Sequence, residues 1–428
     1  MTIQYHFQRN ALTITVITLC STLTFPIHAI TMQQAWEAAK AFDPTYSQAQ
    51  IQSQISEIQV RSTKNMFLPS ASINASASRD ADGKDTQSYS AILIQPIWDS
   101  TYWTQLDQHQ AEYVASQLKV KVAYNQLASS LPYAYLNLAS AQGDLQLAEQ
   151  KFAEGARLLN VTEQRYKAGK LQSIALENMR ANHIDEQAFI FRAQATLKKR
   201  KTALAALINQ DVQHINQIKT TNLSEPPMRV NNELEWLKLA QNNSPELLAA
   251  KQEVAAAKFY RDTTKAKYYP TLSAHVSYQD KIQGRHGNAS AGIKLKMPLD
   301  LNGSIRNSVD QAALKVLSTQ QALRKVDIEI KRKIQSSFHQ IHLTWLQVEV
   351  AQLQVRSRVQ ALESNQMIYE SGMASASDLI NAHNTLFDNK NTLQIRLYEY
   401  WKQRIDLLQA VGQLNDEVIT SLSQALHS

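Results

Sequence analysis

Apolar residues recur along this chain with two different periods. In SASINASAS (Ser70 to Ser78) they take every second position, so that Ala71, Ile73, Ala75 and Ala77 alternate with Ser72, Asn74 and Ser76. That spacing predicts a strand with one apolar and one polar face. The stretch SYSAILIQP, ending at Pro96, answers it as a return strand. Further on, TLSAHVSYQ puts Leu272, Ala274, Val276 and Tyr278 on one face. Its return strand NASAGIKLKMP sets Ala289, Ala291, Ile293, Leu295 and Met297 against Asn288, Ser290, Lys294 and Lys296. The connecting tips RDADGKDTQ and KIQGRHG are polar and contain Gly, as hairpin loops do.

The second period is seven. Tyr124, Leu131, Leu138, Leu145, Phe152, Leu159 and Tyr166 form one ladder; Ile334, Ile341, Val348, Val355, Leu362 and Tyr369 form its counterpart. After a turn, each resumes: Leu176, His183, Ile190, Leu197 and Leu204 in one case, Leu379, Leu386, Leu393, Tyr400, Leu407 and Leu414 in the other. Heptads sustained this long predict coiled-coil packing. A helix from Asp99 to Tyr166 would rise about 100 Å, far more than a domain is wide. Pro132 lies inside it and is expected to bend it locally. His183 occupies an apolar slot, which predicts a packed or half-exposed histidine and not a ligand.

These patterns occur twice. Trp36 matches Trp236, LPSASINAS (Leu68 to Ser76) matches YPTLSAHVS (Tyr269 to Ser277), and YKAG (Tyr166 to Gly169) matches YESG (Tyr369 to Gly372). A constant offset of about 200 residues indicates a duplicated unit, too long for a solenoid repeat. The expected units are 30–219, with a hairpin over 70–98 and a turn over 166–172, and 234–428, with a hairpin over 271–299 and a turn over 369–378. Residues 220–233, with Pro226 and Pro227, read as the linker. Each unit reads helix, hairpin, long helix, turn, helix, with Pro69 and Pro270 stopping the first helices.

Residues 1–29 read as a secretory signal: one Arg and no acid, then the uncharged ALTITVITLCSTLTF, then PIHA ending at Ala29. The apolar run is shorter than the roughly 20 residues of a spanning helix. Cys20, the single cysteine, falls inside it, so the mature chain is expected to have no thiol or disulfide. The net charge is +7. The charges are scattered apart from Lys198, Lys199, Arg200 and Lys201, a run that reads as a solvated face, and no nucleic-acid motif is present. No catalytic constellation, Walker loop or zinc spacing occurs, which excludes an enzyme on sequence grounds. HQIH (His339 to His342) has helical i, i+3 spacing, but no carboxylate follows at a neighbouring turn, so no metal or other cofactor is expected.

Four strands with one apolar face do not close on themselves. Either the hairpins pack on a soluble core or several chains pool them, since the smallest membrane barrels need about eight strands. The neighbouring helices have ladders already committed to one another, which favours pooling. The strands, nine to eleven residues long, suit tilted membrane strands.

At this point the chain resembles the TolC family of outer-membrane efflux ducts. The likeness is carried by the duplicated unit, the two Pro-bounded hairpins, and the turn motifs RYKAG and YESGMASASDLINA. It implies a mostly helical α+β fold: long coiled-coil helices forming a trimeric α-barrel tunnel, joined to a 12-stranded transmembrane β-barrel with four strands per chain. It places the protein in the outer membrane of a Gram-negative bacterium, extending into the periplasm. Ala71, Ile73, Ala75 and Ala77 would face lipid and the serines the water of the lumen. The implied partners of the homotrimer are outer-membrane lipid, a periplasmic adaptor (membrane fusion protein) and an inner-membrane ABC or RND transporter.

The resemblance also implies site residues. Asp378 and Asn381 fall where the family narrows its periplasmic end, the second position being acidic in the family's best-known member. A ring of Asp378 carboxylates would raise one another's pKa and give a mild cation preference. The turns Ala168, Gly169, Lys170, Leu171 and Ser371, Gly372, Met373, Ala374 match those where adaptors dock. The family's ionic lock is absent: its positions read Ala374, Ala175 and Ile174. The expected function is an exit duct for type I protein secretion, drug efflux, or both. The alternatives are a multidrug duct without protein cargo and a non-conducting coiled-coil envelope spacer.

Overall fold

The computed structural model describes residues 30–79, 81–83, 85–216, 223–228, 230–281 and 287–427. The expected signal over 1–29 lies outside the described residues, as do parts of the hairpin tips and of the 220–233 linker.

The described part of the chain opens with α1 (Met32–Phe42), closed at its start by a reciprocal Thr31–Gln34 capping box. Asp43 then caps α2 (Pro44–Asn65), accepting from the Tyr46 amide at 2.6 Å. The second unit repeats this as α5 (Glu233–Asn243) and α6 (Pro245–Ala266). The single first helix expected in each unit is thus two. Pro44 and Pro245 sit at the first helical position, where a missing N–H costs nothing, but they exclude a helix continuing from before.

Strands β1 (Ser70–Arg79), β2 (Asp85–Trp98), β3 (Thr271–Lys281) and β4 (Asn288–Lys296) form one antiparallel sheet in the order β1-β2-β3-β4. The two hairpins are joined through β2 and β3, and β1 and β4 are its edges. The pairing shifts between Pro96 and Trp98, where proline has no N–H for the ladder. β4 stops at Lys296, short of residue 299, just before Pro298.

From the sheet run α3 (Ser100–Lys167) and α7 (Ser304–Ser371), each 68 residues long and thus about 100 Å. α3 passes unbroken through Pro132, which is buried within it. They turn into α4 (Ser173–Ile208) and α8 (Ala376–Ala410), and the chain ends with α9 (Asp416–His427), for which no sequence pattern gave an expectation. The ladder of α8 is buried throughout, from Leu379 to Tyr400 and Leu407. Of the α4 ladder only Leu176 and Leu204 are buried, because α4 packs mainly on α3 and touches α8 and α1 much less. The main core lies midway along the long helices, where Trp36, Tyr135, Ile334, Val348, Trp345 and Tyr400 pack together.

Asp416 ties the two ends of the chain together. Its Oδ1 accepts from Trp36 Nε1 at 2.7 Å and from the Tyr124 hydroxyl at 2.5 Å, and its Oδ2 accepts from Lys40 Nζ at 3.1 Å. The Tyr124 hydrogen bond, helped by Trp36 and Lys40, holds the carboxyl below its ordinary range. A depressed folded pKa gives stability that is whole above the unfolded value of about 3.9 and is lost as pH falls through the folded one. Asp416→Ala should therefore destabilise the fold by about 1–2 kcal/mol near neutrality, the carboxylate being half-exposed. In thermal melts followed by circular dichroism the gap to the wild type should narrow below about pH 4. A gap that stayed constant into acid would assign the loss to packing and not to the charge.

Candidate functional site

Strand alternation and register give the sheet two unlike faces. One face carries the rungs Ala71–Leu93–Val276–Ala291 and Ile73–Ala91–Tyr278–Ala289, followed by Leu272 and Leu295. Ile73 is 84% exposed and Ile293 71%, so within one chain nothing covers this face. The opposite face carries Ser72, Asn74, Ser90, Ser277, Gln279 and Ser290, with cross-strand hydroxyl contacts of 2.8 Å at Ser76–Ser88 and at Ser277–Ser290. It also holds Ile92 and Ile94, an interruption of the polar alternation. His275 lies across from Gly292, where an added Cβ would meet its ring at 2.9 Å; glycine lets the ring lie flat on the neighbouring strand.

Aromatic residues bracket the apolar face. Tyr89 and Tyr278 approach at 6.2 Å near the hairpin tips. Trp98, Trp103 and Tyr269 stand exposed at the other end, with Phe67 4.7 Å from Trp103. From Tyr89 to Trp98 the strand rises roughly 30 Å, or about 23 Å along the axis of a tilted barrel. That matches the apolar band of a membrane barrel, which aromatic girdles border. Among the described residues no helix is long and apolar enough to cross a membrane.

The turns lie at the far ends of the long helices. Tyr166 and Lys167 still belong to α3, and α7 continues to Ser371. Both turns close alike. The amides of Gly169 and Gly372 donate to Tyr166 and Tyr369, and those of Lys170 and Met373 donate to Arg165 and Ile368. Gly169 (φ 69°) and Gly372 (φ 87°) take left-handed conformations that side chains resist. Ala168, Gly169, Lys170, Ser371, Gly372 and Met373 are exposed, whereas Leu171 and Ala374 pack against a second apolar cluster.

Asp378 and Asn381 are exposed, one turn apart on α8. Asp378 forms a capping box with Ser375: its amide donates to Ser375 Oγ, and its Oδ2 accepts from the Ser375 hydroxyl at 2.6 Å and amide at 3.1 Å. The Ser375 hydroxyl, and then its amide, lower the Asp378 pKa. Within one chain the direction is thus opposite to the rise expected from a ring of like charges, and the carboxylate stays ionised.

At the vacant lock, Ala175 and Ala374 pack on Leu158, Met179, Leu362, Tyr369, Ala376, Leu379 and Leu386. Arg165, the first residue of the RYKAG turn motif, donates from Nη1 to the Tyr369 carbonyl and lays its guanidinium 4.8 Å from that ring. The Tyr369 hydroxyl donates to Thr162 Oγ1 at 3.1 Å inside the cluster. Tyr369 is 1% exposed and its repeat partner Tyr166 is 42% exposed, so the duplicated tyrosines have diverged in role. Higher up, His183 stacks on Phe152 at 4.1 Å and faces Glu186 Oε2 at 3.2 Å. His383 Nδ1 lies 3.3 Å from Glu186 Oε1, within reach of charge attraction but without hydrogen-bond geometry.

His339 meets a carboxylate that its own helix does not supply: Glu233, at the start of α5, approaches its Nε2 at 3.1 Å. The pair is an exposed surface contact, and among the described residues no group of three His, Cys, Asp or Glu is arranged to hold a metal.

The sequence model described as outer membrane efflux protein matches residues 35–210 and again 236–413. The chain is 20% identical over 423 residues to the outer membrane protein TolC of Escherichia coli, covering 92% of this chain and 85% of that protein. It is 20% identical over 336 residues to the alkaline protease secretion protein AprF of Pseudomonas aeruginosa, covering 74% and 68%. The crystal structure of VceC from Vibrio cholerae superposes with a TM-score of 0.78 at 16% identity, covering 89% of this chain and 96% of that one. The double family match, in register with the two hairpins and two coils, assigns the chain to the outer membrane efflux protein family, and with it to the ducts of the Gram-negative outer membrane.

Proposed function

We propose that three copies of this chain close their sheets edge to edge into a 12-stranded barrel, continued by a helical tunnel, and that the assembly exports cargo across the outer membrane. The observation that carries this reading is the sheet itself: four strands, two open edges and an exposed apolar face. Hydrocarbon tolerates neither unpaired strand edges nor exposed polar faces, so the sheet is complete only when copies close it. The amphipathic lining speaks against a non-conducting spacer, which needs no polar lumen.

In this reading Asp378, with Asn381 one turn further, narrows the periplasmic end. The turns at 168–171 and 371–374, exposed at 168–170 and 371–373, receive a periplasmic adaptor, which couples the duct to an inner-membrane ABC or RND transporter. The units 30–219 and 234–428 are the repeats that each copy contributes. AprF, named for secretion of a protease, supports a protein cargo over a purely multidrug role.

The test is electrical. The mature chain, purified from membranes and placed in a planar bilayer, should give discrete current steps with a mild cation preference. Asp378→Asn should reduce that preference about two- to threefold, removing one fixed charge per copy. Equal permeability to both ions in the wild type would remove Asp378 from the gate. Silence from the wild type and from Asp378→Ala alike would favour the spacer.

A further inference from the structure

The polar face of the sheet carries fixed charge of one sign. Lys294 stands opposite Ser273 and Lys296 opposite Thr271, both exposed, on the face that also bears Ser277, Ser290 and His275. Among the described side chains of that face there is no Asp or Glu: β1 offers Ser and Asn, β2 Thr, Ser and Ile, β3 Thr, Ser, His and Gln, and β4 Asn, Ser, Gly and Lys. The acids of the strands lie on the other face near the tips, where Asp85 pairs with Arg79 and Asp280 accepts from Tyr89. The two lysines sit at the end of β4 that leads into α7, so they mark the rim where the barrel meets the helical tunnel.

We infer that this rim is an anion-attracting ring that receives acidic polypeptide segments of the cargo. The inference rests on the duct reading above and adds the chemical class of what passes through. Three copies would place six ammonium groups around one cross-section. Twelve strands about 4.8 Å apart and tilted about 40° close at a backbone radius of about 12 Å. Lysine reaches inward from that wall, so the ring's field spans the lumen at about 0.1 M salt, where the Debye length is about 10 Å. Lysine, as a flexible point charge, offers no fork for bidentate capture. That suits a surface over which carboxylates slide better than one that retains them. The ring has the sign opposite to the Asp378 carboxylates at the other end, so an acidic segment is repelled at the turns and attracted at the barrel, a gradient directed outward.

The experiment adds poly-L-glutamate to the hairpin side of the reconstituted wild-type channel and records the duration of current blocks. Blocks are expected in about 0.1 M salt and should fade near 1 M, where the Debye length falls to about 3 Å. The double variant K294Q/K296Q should shorten them about tenfold or more. K294E/K296E should abolish them and admit blocks by poly-L-lysine instead. Block durations that ignore both double variants, or that persist unchanged at high salt, would overturn the ring while leaving the duct intact. A wild-type chain that never conducts would overturn the duct reading itself.

Discussion

Val276→Arg should keep this protein out of the membrane, while Ser277→Arg, one residue on, should leave insertion unchanged. The two side chains are neighbours in sequence and opposites in environment. Val276 sits on the middle rung of the apolar face, between Leu93 and Ala291, and is 53% exposed with no cover from its own chain. Ser277 lies on the polar face, with its hydroxyl 2.8 Å from that of Ser290. An arginine facing lipid at the bilayer midplane costs about 2–4 kcal/mol, falling toward zero near the interfaces. Closure by three copies repeats the cost three times, to about 6–12 kcal/mol per barrel, comparable with the whole stability of a domain. The readout is the amount of heat-resistant oligomer recovered from outer membranes. Loss for Val276→Arg with near wild-type recovery for Ser277→Arg fixes which face meets lipid. The reverse result would invert the barrel, and equal recovery of both would return the sheet to water.

The two faces are legible in the amino-acid sequence because a strand has a strict period of two, so every residue of SASINASAS votes for the same division. The long helices are legible for a similar reason: a single heptad slot carries little information, but Leu379 through Leu407 repeat it without a miss. The sites where the coils interlock are less so. Trp36 and Asp416 are joined across 380 residues, and no local pattern links them. His383 lies four residues after Leu379, on the stripe beside the ladder, and it is fully buried only once α8 is packed among its neighbouring helices, with Glu186 of α4 against it. Arg165 reads as one more charge at a helix end until Tyr369 is brought beneath it. Two glycines do carry a local signal. Gly143 and Gly155 lie deep inside a long helix, where an isolated glycine needs a reason.

The reason is that each glycine is a notch for a polar side chain, so alanine in its place should destabilise the protein. In a free helix the sign would be the other way, alanine being better than glycine by about 1 kcal/mol. At Gly155 an added Cβ would overlap Glu186 Oε2, and at Gly143 it would fall 2.6 Å from Gln394 Nε2. Neither end is free to swing aside. Glu186 is 2% exposed, with Asn182 donating to its Oε1 at 2.7 Å and imidazoles at both oxygens. Gln394 Nε2 donates to the Ser140 carbonyl at 2.8 Å and to Asp144 Oδ1 at 2.9 Å, which fastens α8 to α3. Gly155→Ala should therefore cost about 2–3 kcal/mol, through overpacking and displacement of a buried, hydrogen-bonded carboxyl group. Glu186→Ala should cost about 1–3 kcal/mol by removing the buried acceptor of Asn182 and the carboxyl that packs between His183 and His383. The decisive measurement is the double variant. If the notch exists to admit Glu186, Gly155→Ala becomes nearly neutral or stabilising once Glu186 is alanine, because the methyl group then fills the vacated space. Simple addition of the two losses would mean that Gly155 serves the helix backbone and not its neighbour. Through His383 the same glutamate also joins α4 to α8, so the single variants should raise the resting conductance in a planar bilayer, and the double variant should conduct no more than Glu186→Ala alone.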